Sequence, residues 1–253
     1  MNEPGAAAFA VAPYTRKELR FHITGAVLNG LVWLAGLIWL FADWNSNTPR
    51  WPWIVLAVLA GIYAADLVSG LLHWAFDTWF DEDNLFLRRM VLQVREHHVY
   101  PNRIFRIHFL HDAGTLSWIA LILTAPTILI AIWWKFGAVV ITSSVFSVLL
   151  VTMLSFHKIG HRARQPRCIL LLQKLGLLIS AAHHSQHHGG NHDFNYCLIN
   201  GWADDTLGRA GFFRVLERVI ARATGAQPRR NDHEWLRRFE PGAMQTRSGI
   251  LAG

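Results

Sequence analysis

Four apolar stretches, each near the length that crosses a bilayer, constrain this chain more than any other feature: residues 26–42, 52–76, 116–134 and 137–156. A hydrocarbon core of roughly 30 Å takes about 20 helical residues. The first stretch is short and is extended by its flanks. Pro126, in the third, is tolerated in a membrane helix whose neighbours satisfy the freed carbonyl. Only Lys135 and Phe136 join the last two stretches, which predicts a tight helical hairpin. The composition agrees, because 52% hydrophobic and 16% charged residues in a chain of 253 are too apolar a mixture for an ordinary soluble domain. The expected fold is all-α, a multi-pass integral membrane protein of four transmembrane helices.

The charges orient it. Lys and Arg accumulate in cytoplasmic segments, and 22 of the 24 lie before the first span, between the second and third, or after the fourth. Arg50 and Lys135 are the exceptions. They fall in the two far-side connections, where Trp44, Trp51, Trp53, Trp133 and Trp134 form an interfacial aromatic belt. No secretory signal with a cleavage site precedes the first span, so the N-terminus is expected inside. The net charge of +7 is accounted for by orientation and by attraction to anionic lipid. With no aromatic-basic binding motif, nucleic acid is not expected as a partner. Cys168 and Cys197 form no C-x-x-C pair, which sets aside a disulfide framework and a thiolate metal site.

Residues 1–25 read as a cytoplasmic N-terminal arm, 26–224 as the membrane domain and 225–253 as a mobile basic tail, polar and without periodicity. Within the domain, 168–182 is apolar but too short to cross. Phe212, Phe213, Val215, Leu216, Val219 and Ile220 recur at helical spacing among Arg214, Arg218 and Arg222. Both segments predict helices lying at the membrane surface.

Histidine is the anomaly. There are 14, and 12 of them fall between His73 and His192. Under the expected topology each of those lies at the cytoplasmic end of a span or in a cytoplasmic segment, so residues far apart in sequence meet in one layer. His73 ends the second span in Asp66-x-x-x-Gly70-x-x-His73-x-x-x-Asp77, whose steps of four, three and four keep all four on one helical face. Asp66 lies inside the membrane, where a carboxylate is costly and is either functional or a hydrogen-bonding link between helices. His97 and His98 are adjacent and supply ligands together only if the local backbone aims both rings one way. His157 and His161 leave the fourth span as H-x-x-x-H, the spacing by which a helix offers two imidazoles to one metal. The strongest signal is His183-His184-Ser185-Gln186-His187-His188 with His192, which contains two i,i+4 pairs. His108 and His111 could be ligands, proton carriers or neither, and His22 and His233 read as ordinary surface residues.

About nine histidines converge, more than the four ligands of zinc or the six of an octahedral ion. Two ions can use them. All-imidazole coordination without thiolate suits iron, with zinc the competitor. Iron brings oxygen chemistry able to remove hydrogen from an alkyl C–H, and a site at the membrane boundary makes a lipid the natural substrate.

Several motifs together resemble the lipid desaturase family. They are Asp66-Leu-Val-Ser69-Gly70-Leu-Leu-His73-Trp74-Ala-Phe-Asp77-Thr78-Trp79, Arg95-Glu96-His97-His98, His157-Lys158-x-x-His161, and His183-His184-x-x-His187-His188 with His192 and Tyr196-Cys197. The family includes plasmanylethanolamine desaturase, its bacterial CarF relatives and a plant plastid acyl-lipid desaturase. Gly201-Trp202 and Phe212-Phe213-Arg214-x-Leu216-Glu217 look like its closing motifs, so the resemblance covers about residues 52–220.

The resemblance implies a di-iron, O2-dependent desaturase fed by a separate electron carrier of the cytochrome b5 or ferredoxin type. Its best-known reaction turns the alkyl ether of a plasmanyl phospholipid into the vinyl ether of a plasmalogen. The expected metal ligands are His73, His97, His98, His157, His161, His184, His187, His188 and His192, with His183 a reserve ligand or a residue that orients one. Asp77 would be a ligand or orient one through a hydrogen bond. Where the family has Arg-His-Asp and then Glu-Thr-Asn-Gly, this chain has Arg106-Ile107-His108 and His111-Asp112-Ala113-Gly114. Ser155 and Phe80 replace a usual Gln and Gly. The same site would serve an acyl-lipid desaturase or a lipid hydroxylase. From other classes, a metal transporter should place ligands along mid-span, and a catalytically silent adaptor should keep metal without changing lipid. The membrane is expected to be the inner membrane of a bacterium or the endoplasmic reticulum of a eukaryote.

Overall fold

A computed structural model describes residues 14–83, 87–162, 164–189, 192–230, 232 and 234. Its elements are α1 (Arg16–Ala42), the single turn α2 (Trp44–Asn47), α3 (Trp51–Thr78), α4 (Arg88–Val99), α5 (Phe109–Trp133), α6 (Gly137–Gly160), α7 (Arg167–Lys174), α8 (Ala181–His188) and α9 (Phe212–Thr224). No strand occurs among the described residues. α1, α3, α5 and α6 are long and apolar enough to cross a membrane, and the protein is an integral membrane protein.

α1 and α5 begin well before the apolar stretches because polar residues at their N-termini supply caps. α1 starts at Arg16, not Ala26, where Thr15 and Glu18 form a reciprocal capping box. α5 starts at Phe109, with the His108 ring accepting from the Leu110 N–H at 3.3 Å. By contrast, the apolar 168–182 segment is not one helix: α7 stops at Lys174 and α8 starts at Ala181. Gly176, at φ 68°, lets Leu177 N reach Leu172 O at 2.9 Å and stop the helix.

The packing order of the long helices is α1, α5, α6, α3. α1 and α5 run in the same direction, since Gly25 meets Trp118 and Gly36 meets Ile128. α3 and α6 also share a direction, with Gly61 against Thr142 and Val145 and His73 near His157. The start of α1, the end of α3, the start of α5 and the end of α6 therefore lie at one end of the bundle, and every clustered histidine is there. The five belt tryptophans are exposed at the other end. Cross-helix bonds reinforce the packing, as lipid offers the helices little hydrophobic drive to associate. Ser147 donates to Asn29 Oδ1 at 3.1 Å and Thr142 to Ala57 O at 3.0 Å.

α9 docks on the protein through Phe212, Phe213, Leu216 and Ile220, which pack around Trp74, Tyr196 and Cys197. Its other face leaves Val215 and Val219 exposed. Within the expected tail, Arg229 and Arg230 lie against the domain. Arg229 N donates to Thr78 O at 2.8 Å, its guanidinium donates to the Phe76 and Phe80 carbonyls, and Arg230 bonds Asp193 and Glu217. The open carbonyls at the C-terminal end of α3 attract Arg229, whereas Arg230 is held by the two carboxylates. His233, and most of the tail, lie outside the described residues.

Candidate metal centre

Helix spacing brings the ligand types together. Asp77 stands four residues after His73 at the end of α3. His97 and His98 occupy the last turn of α4. His157 and His161 leave α6, and His184, His187 and His188 share a face of α8, a helix started by the Ser180 side chain accepting the His183 N–H. His73, Asp77, His97, His98, His157, His184 and His187 are buried.

Two sets of four potential ligand atoms result, each set lying within 4.8 Å: His97, His157, His161 and His188, and His73, Asp77, His98 and His187. His98, His192 and Asp232 make a third, smaller group. In the first set the ring nitrogens crowd, Nε2 of His161 lying 3.1 Å from that of His157 and 2.9 Å from that of His184, which is 3.1 Å from His188 Nε2. In the second, Asp77 Oδ2 is 3.4 Å from Nε2 of both His73 and His187, and Oδ1 is 3.4 Å from His98 Nε2.

The outer nitrogens show which atoms are available. His73 Nδ1 lies 2.9 Å from Tyr196 O, His187 Nδ1 2.8 Å from Phe194 O, His97 Nδ1 3.3 Å from Gln93 O, and His98 Nδ1 2.7 Å from Asp232 Oδ2. An acceptor at Nδ1 fixes the proton there and leaves Nε2 as a lone pair facing inward. His73 Nε2, His97 Nε2 and both Asp77 oxygens are buried without a hydrogen bond. Such polar atoms are normally satisfied, and their convergence suits a cation. Burial and the neighbouring imidazoles hold His97, His98, His184 and His188 well below the ordinary histidine range. Burial likewise lowers His161 and His187 to about 4. These rings are neutral near pH 7, the form that ligates metal.

Four expected residues lie in other surroundings. Asp66, on the same face as Asp77, accepts the N–H groups of Ile199, Asn200, Gly201 and Ala203 at 2.9–3.2 Å. It is a structural link, because its oxygens are spent on that loop. His183 turns from the cluster and bonds Asp204 at 3.1 Å. Burial opposes its charge, but Asp204 outweighs burial and shifts its pKa upward. His183 falls outside because the inward sector of α8 is filled by His184, His187 and His188. His108 is an exposed helix cap and His111 stacks on Tyr14, both apart from the ligand sets. His22, read as a surface residue, is buried against His111 because Gly114 leaves no side chain to hold α1 away.

Sequence reasoning missed Asp232. It is buried, bonds His98, and forms an ion pair with Arg95 Nε at 3.0 Å. The only signal for it was an acidic residue beside the Arg229-Arg230 pair.

Residues 62–231 match the lipid desaturase domain family, and the chain belongs to that family. Desaturation removes two hydrogens, so this is a family of oxidoreductases. The chain is 34% identical to plasmanylethanolamine desaturase of Myxococcus xanthus over 71% of its length, and spans 65%, under two thirds, of that relative. It is 29% identical to mouse plasmanylethanolamine desaturase 1, covering 79% of this chain and 76% of the relative. It is also 29% identical to chloroplastic fatty acid desaturase 4 of Arabidopsis thaliana, covering 73% and 58%. No solved structure matches the chain.

Proposed function

We propose that this protein is a di-iron, O2-dependent membrane lipid desaturase that forms the vinyl ether of plasmalogens from a plasmanyl phospholipid. The observation that carries the reading is the pair of four-donor sets, seven imidazoles and one carboxylate with no thiolate, a donor mixture suited to iron. The substrate follows the names of the bacterial and mouse relatives. His73, Asp77, His98 and His187 would hold one ion, and His97, His157, His161 and His188 the other, with His184 and His192 completing them. Bound iron would supply, with O2, the chemistry that removes hydrogen from an unactivated C–H bond.

The chain's own residues orient and enclose. The carbonyls of Gln93, Phe194 and Tyr196 and the Asp232 carboxylate fix four ring orientations. Buried Leu116, Leu150 and Met153 exclude water from the membrane side. Two electrons are needed per turnover, and we assign them to a separate carrier of the cytochrome b5 or ferredoxin type. The basic residues at the histidine end support a cytoplasmic site.

The test is expression in cells that lack plasmalogens, followed by lipid mass spectrometry with and without acid treatment. New acid-labile lipids two hydrogens lighter than their precursors are expected. Unsaturated ester chains would move the substrate to acyl lipids, and a gain of one oxygen would make the enzyme a hydroxylase.

A further inference from the structure

A cavity of about 500 Å³ opens from the histidine layer. The rings of His73, His97 and His157 form one wall, and Leu72, Leu116, Ile119, Met153, Leu154 and Leu198 line the part that extends into the bundle. The rim is different. Tyr14, Glu18, His22, Arg89 and His111 meet there from the start of α1, from α4 and from the start of α5.

That rim is organised around a charge pair. Arg89 lies 3.3 Å from Glu18 Oε1 and 4.1 Å over the Tyr14 ring, which stacks on His111. The other Glu18 oxygen is held by Thr15 at 2.8 Å. His111 Nδ1 is buried and has no hydrogen-bond partner. A buried nitrogen left unsatisfied is costly unless a ligand meets it.

We propose that this cavity binds one zwitterionic phospholipid, with a hydrocarbon chain along the apolar part and the head group at the rim. The inference rests on the lipid desaturase reading and gives its substrate a position. The apolar lining offers no hydrogen bonds, so it accepts hydrocarbon and rejects a polar substrate. At the rim a guanidinium matches phosphate oxygens, and His111 adds a second nitrogen to the same group. Glu18, the carboxylate of the described lining, complements an ammonium on that head. A zwitterion thus exchanges the internal Arg89–Glu18 pair for two external ones, whereas a head bearing phosphate alone leaves Glu18 unmatched.

The full-length, metal-loaded protein would be titrated with three ether lipids of identical chains, whose heads carry phosphate plus amine, phosphate alone, or a hydroxyl. Bound lipid is read by native mass spectrometry, with metal measured in parallel. The expected result is one lipid per chain and binding at least tenfold weaker for the hydroxyl head than for the zwitterion, with the phosphate-only head between. Ile119→Trp should abolish binding of all three with metal content unchanged. Arg89→Gln should bring the phosphate-bearing lipids down to the hydroxyl head. Wild-type binding by Ile119→Trp, an undiminished head preference in Arg89→Gln, or a wild-type protein that binds none of the lipids would overturn the proposal. If Ile119→Trp does not purify with metal, the enlarging variant Leu116→Ala decides: a shift toward bulkier chains supports the site, and an unchanged chain preference sinks it. Lipid bound in this pattern but never oxidised would defeat the desaturase reading and leave the site standing. Oxidation at the wild-type rate by Ile119→Trp would do the reverse.

Discussion

Asp66 and Asp77 are buried carboxylates on one face of α3, yet their surroundings are opposite. Asp66 accepts four backbone N–H groups, whereas both oxygens of Asp77 lack a hydrogen bond and face three imidazoles at 3.4 Å. A buried carboxylate is tolerable only when its charge is compensated. The protein compensates the first with its own backbone. The second is left to a cation, and the contrast separates what holds the layer together from what we propose it holds.

Removing each carboxylate separates the two environments most directly. Asp77→Ala is expected to abolish lipid oxidation and lower bound metal, while the apo-protein melts no lower than wild type. Stability retained with full metal and activity would refute the assignment. Asp66→Ala should act in the other sense. Each stranded N–H costs about 1–3 kcal/mol, so a large fall in melting temperature and in folded yield is predicted, and a normally stable protein would contradict the anchor role.

Two histidine–carboxylate pairs sharpen the contrast with smaller effects. Asp232→Asn weakens the group that orients His98 and should reduce metal affinity by about 10–100-fold, measured by chelator competition, with the helical circular dichroism unchanged. His183→Gln, at the Asp204 pair, should cost about 1 kcal/mol of stability and leave metal content intact. Loss of one ion in that variant would return His183 to the ligand set.

The spans and the meeting of distant histidines in one layer were legible in the sequence, because hydropathy and i,i+4 spacing are local properties. What was not legible depends on partners distant in sequence. Asp66 and Asp77 share one periodic stripe, and only the return of residues 199–203 onto α3 tells them apart. His183 and His187 form as good an i,i+4 pair as His184 and His188, yet Asp204 captures the first ring. The polar segment after Thr224 carries no periodicity to mark it as ordered. Arg229 is positioned by carbonyls at the end of α3 and Arg230 by Asp193 and Glu217, partners that no sequence pattern announces.

The presence of two metal positions within one histidine layer is tested most directly by metal analysis of the purified full-length protein, by mass spectrometry with iron spectroscopy, alongside the Asp77→Ala and His161→Ala variants. Two irons per wild-type chain are predicted, falling in each variant because each removes a ligand from a different set. A single ion, or lipid oxidation at the full rate by metal-free protein, would contradict it.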